Sequence, residues 1–169
     1  MRIIFIDNGV TGSIGMYDGE SSEFVLTPVK KEQDYTKAKK NISRIDVPSL
    51  LSLLKRLTLN ANSMVVLERP LVNPTRYSAT ISAVRALEAT LCCIESLGLP
   101  YRFCDSKDWQ RNILPSSGHK GTTSDVLKQE SRDIGIRMFP QFRKLIEKHK
   151  DADGILGAYQ WWKMESGKQ

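Results

Sequence analysis

The chain has 169 residues, with 25 Lys and Arg against 19 Asp and Glu, a net charge of +6 and an isoelectric point near 9.3. That length suits one domain with one core; no stretch approaches the ~18 uninterrupted apolar residues of a membrane helix, and the N-terminus lacks a secretion-signal layout, so a soluble, intracellular, cytoplasmic protein is expected. The basic excess fits a nucleic-acid binder, though many other proteins share it, and the cysteines (Cys92, Cys93, Cys104), odd in number and without CxxC spacing, exclude a disulfide frame or zinc cage and read as small, reduced core residues.

The first element is an apolar run, Ile3-Ile4-Phe5-Ile6, that ends in a carboxylate, Asp7, and passes into Asn8-Gly9-Val10-Thr11-Gly12. β-Branched and aromatic residues bounded by turn formers predict a fully buried strand that delivers Asp7 to a sheet edge. Asp7 there is either a turn-starting residue or a charge that needs a cation or hydrogen bonds to compensate it. Residues 13–17 and 23–29, separated by Asp18-Gly19-Glu20-Ser21, predict two more strands and so an antiparallel meander. From Lys30 to Arg44 basic residues dominate without apolar periodicity. This segment reads as a solvated loop, with DNA contact as the alternative.

Pro48 opens a helix with Leu50, Leu51, Leu53, Leu54 and Leu57 on its apolar side, ending near Asn60. Residues 63–67 predict a second buried strand, which also ends in an acid, Glu68. After a loop with Pro70 and Pro74, Ser78 is expected to cap a long helix to about Leu97, stopped by Gly98 and Pro100. It carries one stripe of Ile81, Val84, Leu87, Leu91 and Ile94 and a second of Ala79, Ala83, Ala86, Thr90 and Cys93. So wide an apolar arc fits either burial between sheet and helix or a homodimer through the helix 78–97.

Residues 101–104 predict a short strand, and Ser116 to Gly121 a flexible loop. Thr123 or Ser124 should cap a helix to Met138, and Pro140 leads into another through Lys148. A last helix spans about 153–164, with Ile155, Tyr159 and Trp162 facing the core. No repeat or interdomain linker interrupts the chain, which reads as a single domain, 1–169.

A third acidic group, in His149-Lys150-Asp151-Ala152-Asp153, precedes this helix. Hard divalent ions take oxygen ligands, and two-metal phosphodiester hydrolysis needs carboxylates converging so that the ions sit ~3.5–4 Å apart. Alternatively, Asp151 and Asp153 are ordinary helix-start acids favoured by the macrodipole. If both were helical they would point ~200° apart, so one must lie outside the helix; Asp153 is taken as the inward ligand and Asp151 as capping or reaching round from the loop. His149 is a proton carrier, a ligand or a surface residue.

Strand-then-Asp in IIFIDNGVTG, strand-then-Glu in VVLERP and the late HKDADGILGAY, in that order, resemble the RuvC family of Holliday-junction resolvases within the ribonuclease H-like fold. ERPLVNPTRYSATISAVRALEATL and DSKDWQ add to a likeness that spans Ile3 to about Tyr159 and is nearest to the phage-type members. The resemblance implies an α/β ribonuclease H-like fold with a mixed five-stranded sheet, a three-stranded antiparallel meander plus two parallel strands, flanked by helices. It also implies a homodimer and paired nicking of opposite strands at a four-way DNA junction with two Mg²⁺ ions, Mn²⁺ substituting, in the bacterial cytoplasm. By position, Asp7 would touch both ions, Glu68 would hold one, and Asp153 would be the helix-borne ligand. The family's fourth acid falls on Lys150, which leaves Asp151, or His149, to supply that ligand. Arg69, Arg76 and Tyr77 after one strand and Lys107, Arg111 and Lys120 after the next are the DNA-contacting residues it implies, with Tyr77 stacking on an unpaired base or making a capping contact on the long helix. Competing readings are a less selective branched-DNA or flap endonuclease, a non-catalytic DNA-binding dimer, and a phosphotransferase of the actin and sugar-kinase type, which would need a second phosphate turn that the chain lacks.

Overall fold

The computed structural model describes residues 1–34 and 37–167. The chain runs β1 (Arg2–Ile6), β2 (Ser13–Tyr17), β3 (Ser22–Leu26), β4 (Val29–Gln33), β5 (Asn41–Ile45), α1 (Val47–Thr58), β6 (Ser63–Glu68), α2 (Tyr77–Ser96), β7 (Tyr101–Cys104), α3 (Ser106–Gln110), α4 (Ser124–Met138), α5 (Arg143–His149) and α6 (Asp153–Ser166). Five strands form one sheet in the order β3-β2-β1-β6-β7. β1, β2 and β3 pair antiparallel, whereas β6 lies parallel to both β1 and β7. The expected meander plus two parallel strands is therefore observed.

Both faces of the central strands are covered, which is why β1 and β6 read as unbroken apolar runs rather than as an alternation. Ile3, Phe5, Met64 and Val66 point toward α6, α4 and α5. Ile4, Ile6, Val65 and Leu67 point toward α1 and α2. Each such side chain, fully buried, contributes about 1.5–3 kcal/mol. Close approach of α6 to the sheet depends on missing side chains: a Cβ on Gly15 would stand 2.1 Å from the Gly154 carbonyl oxygen, and one on Gly157 would stand 2.6 Å from the Phe5 ring.

The segment from Lys30 to Arg44 departs from the loop expected of it. β4 and β5 pair antiparallel as a separate two-stranded sheet, with Lys30 opposite Arg44 and Glu32 opposite Ile42. Glu32 bridges Lys30 at 2.5 Å and Arg44 at 2.7 Å, so charged residues share one hairpin face with Ile42, and the buried Ile45, three residues on and on the other face, leaves no period-2 apolar signal. The remaining departures are smaller. Ser78 does not cap α2, which starts at Tyr77 after a single 3₁₀ turn, Pro74–Arg76, whose cap is Asn73. α6 runs two residues past the expected Met164. Among the cysteines, Cys93 and Cys104 are buried and all three are free, but Cys92 is exposed; neighbouring helical residues point ~100° apart and cannot both face the core.

Along α2 the buried residues are Ala86, Thr90, Cys93 and Ile94, drawn from both stripes, with Leu87 and Leu91 packed against the same core. Ile81 and Val84 remain exposed.

Candidate metal centre

Strand parity decides where the first two acids point. Asp7 continues the Ile3, Phe5 side of β1, and Glu68 continues the Met64, Val66 side of β6, both toward α6. The parallel register pairs Ile6 with Leu67, so Asp7 and Glu68, one residue further on, stand level at the same sheet edge. Gly12 lets the following loop close on Asp7: a Cβ there would lie 2.0 Å from the Asp7 carbonyl oxygen.

The third acid arrives with α6. Ala152 occupies the cap position, Asp153 is the first helical residue and Asp151 lies outside the helix, as the pointing argument requires. Gly154 donates its backbone N–H to Ser13 Oγ at 3.1 Å, which pins this helix start beside the sheet. Ligand atoms of Asp7, Asp151 and Asp153 all fall within 4.8 Å of one another. Acids from the first strand and from residues 151 and 153 thus converge, and Asp151 is only 6% exposed.

Glu68 is placed slightly differently. It stands outside the tight trio, and its Oε2 accepts a hydrogen bond of 3.0 Å from Nε1 of the fully buried Trp109. It is still close enough that its charge raises Asp7. His149 ends α5 and is not a surface histidine: its Nε2 lies 3.2 Å from Asp151 Oδ1, without the alignment of a hydrogen bond. Lys150, at the position of the family's fourth acid, is exposed and adopts φ 80° as the left-handed cap of α5.

The site is electrostatically loaded. Asp7 is held well above the ordinary carboxylate range by burial first, then by the charges of Asp153, Glu68 and Asp151. Glu68 is pushed up to about 7, mainly by burial, with the Trp109 hydrogen bond opposing. Asp153 is pushed up to about 6 by burial and then Asp151, against the hydrogen bond from Ser131 and the charges of Lys128 and His149. Among the described residues no Lys or Arg forms an ion pair with Asp7, Glu68 or Asp153. Gathering like charges and leaving them without a monovalent partner suits a divalent cation. The donors are hard carboxylate oxygens; the nearest thiol, Cys104, paired with Glu68 in the sheet, has its pKa raised by burial and by that carboxylate and stays protonated. This donor set fits Mg²⁺ or Mn²⁺ and not a thiophilic metal.

The basic residues expected near the cleft are all exposed. Arg69 pairs with Asp105 at 3.1 Å and lies over the Phe103 ring, 5.3 Å from its centroid. Tyr77 is 73% exposed and makes no capping contact on α2. Two kinds of residue escaped the sequence reading. Ser131, in the middle of α4, hydrogen-bonds Asp153, and its signal was a serine within the core stripe Leu127, Ser131, Ile134, Met138. Lys128, Arg132 and Lys150 line a hollow of about 330 Å³ between α4 and α5. Lys128 also lowers Asp7 and Asp153, which places its charge near the acids.

The mixed five-stranded sheet carries carboxylates at the ends of two neighbouring parallel strands and at the start of the helix that crosses them, a donor set able to hold a divalent cation. The fold is that of RuvC: the chain superposes on Thermus thermophilus RuvC, solved in complex with a Holliday junction substrate, with a TM-score of 0.54 and 19% identity over 98% of this chain and 96% of that one. A second T. thermophilus RuvC structure gives a TM-score of 0.47 and 18% identity over 79% of this chain and 80% of that one. No protein-family model matches the sequence, and no curated protein matches it. No helix among the described residues is long and apolar enough to cross a membrane.

Proposed function

We propose that this chain is a divalent-metal-dependent endonuclease that resolves Holliday junctions by nicking opposite strands of four-way DNA, a crossover junction endodeoxyribonuclease. The observation that carries the reading is the convergence of Asp7, Asp151 and Asp153, with Glu68 beside them, on a fold it shares with a RuvC solved on such a substrate. Asp7, Glu68 and Asp153 would hold Mg²⁺, with Mn²⁺ substituting, and Asp151 is favoured over His149 as the fourth ligand. Two bound ions supply activation of the attacking water and stabilisation of the leaving 3′ oxygen. The chain's own part is to hold four acids at one sheet edge and to keep cations around them for the phosphates.

Exposed Arg76, Lys107, Arg111 and Lys120, together with Lys128, Arg132 and Lys150 beside the acids, support binding to a DNA backbone without sequence reading. Tyr77, exposed at the start of α2, is available to stack on an unpaired base. Exposed Ile81 and Val84 support a homodimer through α2, which would set two cleavage centres a fixed distance apart. Such a resolvase would act in the cytoplasm, on recombining DNA.

Incubation with synthetic four-way, three-way and flap DNAs in Mg²⁺ tests it. Symmetrically paired nicks in the four-way junction are expected. Equal cutting of all three would instead identify a general branched-DNA endonuclease, and no cutting of any would overturn the nuclease reading.

A further inference from the structure

Resting on that reading, a second layer of the site follows from which carboxylate oxygens are already occupied. Glu68 Oε2 accepts from Trp109 Nε1 at 3.0 Å. Asp153 Oδ1 accepts from Ser131 Oγ, and the same Oγ accepts the backbone N–H of Ala152 at 3.0 Å. Asp151 Oδ1 accepts the Asp153 backbone N–H at 3.4 Å and faces His149. Each of these three acids has one oxygen engaged. Asp7 differs: among the described residues no hydrogen-bond donor reaches its carboxylate, and both its oxygens are open to a cation.

Ser131 and Trp109 are both fully buried, and neither position is explained by apolar packing alone. A serine in the core stripe of α4 and an indole N–H in the core each need an acceptor. The acceptors they found are two of the proposed ligands. Ser131 also ties down the residue preceding α6, so one hydroxyl fixes both the rotamer of Asp153 and the position of the helix start that carries it. Trp109 is itself wedged edge-on against Phe5, the residue two before Asp7, with ring centroids 5.7 Å apart. The two donors therefore reference Asp153 and Glu68 to the same rigid core that fixes Asp7.

We propose that Ser131 and Trp109 are positioning residues for the metal centre: each hydrogen-bonds one oxygen of its acid and so fixes the rotamer in which Asp153 and Glu68 meet a cation, whereas among the described residues no side-chain donor holds the Asp7 carboxylate. Outer-shell partners of this kind are worth about 10–100-fold in metal affinity.

The test measures Mn²⁺ binding to the whole protein without DNA, by paramagnetic resonance, for wild type, Ser131→Ala, Ser131→Thr, Trp109→Phe and Asp7→Asn. About tenfold weaker binding is expected for Ser131→Ala and for Trp109→Phe, which keeps an aromatic ring, though a smaller one, and loses the donor. Ser131→Thr, which keeps the hydroxyl, is expected to recover most of the loss if it folds. Thermal unfolding in chelator identifies any variant that has lost the fold, and the comparison is made between folded variants. Nicking assays then separate a shifted Mg²⁺ requirement, regained at high metal, from a general loss at all metal concentrations. Unchanged Mn²⁺ affinity in folded Ser131→Ala and Trp109→Phe would overturn the positioning role even if wild type cuts junctions. Failure of wild type to cut any branched DNA while these affinities still fall would count against the nuclease reading alone.

Discussion

Replacing Asp7 by Asn should make the metal-free protein more stable while removing its response to metal. In the absence of a cation Asp7 is a cost, because its ligand atoms lie within 4.8 Å of those of Asp151 and Asp153 and no Lys or Arg pairs with it. At an effective dielectric of about 20, two unit charges that far apart repel by about 3 kcal/mol. Glu68 and Asp153, pushed up to about 7 and about 6, are largely ionised at pH 8, and only the charge of Lys128 offsets part of the repulsion. A net gain of about 1–3 kcal/mol, or roughly 3–8 °C in Tm for a chain of this size, is expected for Asp7→Asn in chelator at about pH 8. The sign with pH follows from the raised values. Between the ordinary carboxylate range and about 7, native Glu68 and Asp153 keep protons that the unfolded chain has released, so metal-free wild type loses stability as pH rises through that window. Asp7→Asn should lose less. Adding Mg²⁺ works in the opposite direction and closes most or all of this gap: at a hundred times its Kd a ligand stabilises by about 2.7 kcal/mol, available to wild type and not to the variant. Thermal unfolding at two pH values, with chelator and with Mg²⁺, checks all of this. A variant less stable than wild type in chelator, or equally stabilised by Mg²⁺, would refute the account of Asp7.

Gly154→Ala should destabilise the fold by about 3 kcal/mol or more, because the new Cβ meets the Ser13 backbone carbon at 2.9 Å, where neither partner can swing aside; urea unfolding reads this. If the proposed homodimer forms through α2, changing Ile81 and Val84, both exposed there, together to Asp should give a folded monomer in sedimentation and abolish paired nicking; a wild type that sediments as a monomer would remove the α2 dimer. Removing Arg76 or Lys120, both exposed, should reduce the slope of log K against log salt for junction binding by about 0.9 for each phosphate no longer neutralised, with little change in metal affinity; an unaltered slope would remove that residue from the DNA path.

Much of the architecture was legible because the strands that hold the site are doubly buried and each ends in an acid. An apolar run closing on Asp7 and another closing on Glu68 say which residues emerge at the sheet edge, and the observed register sets them level. Helical geometry required that one of Asp151 and Asp153 lie outside the helix for both to share a pocket, and the helix does begin at Asp153 with Asp151 before it. What sequence could not deliver depends on contacts between distant segments. Ser131 and Asp153 are joined across 22 residues and Trp109 and Glu68 across 41, and nothing local marks either pair. The β4–β5 hairpin was hidden for another reason: ion pairs of Glu32 along its own strand to Lys30 and across to Arg44 replace the apolar alternation by which a strand is ordinarily recognised. On α2 the sequence showed a wide apolar arc but could not say which part is covered within the chain: Ala86, Thr90, Cys93 and Ile94 are buried, and Ile81 and Val84 are exposed.

The most direct measurement is anomalous X-ray diffraction from crystals of the protein soaked in Mn²⁺. Anomalous density bounded by Asp7, Glu68, Asp151 and Asp153, and absent in the same soak of Asp7→Asn, is the predicted result. Mn²⁺ bound elsewhere, or held equally well without the Asp7 carboxylate, would contradict the claim that folding assembles these acids into a cation site.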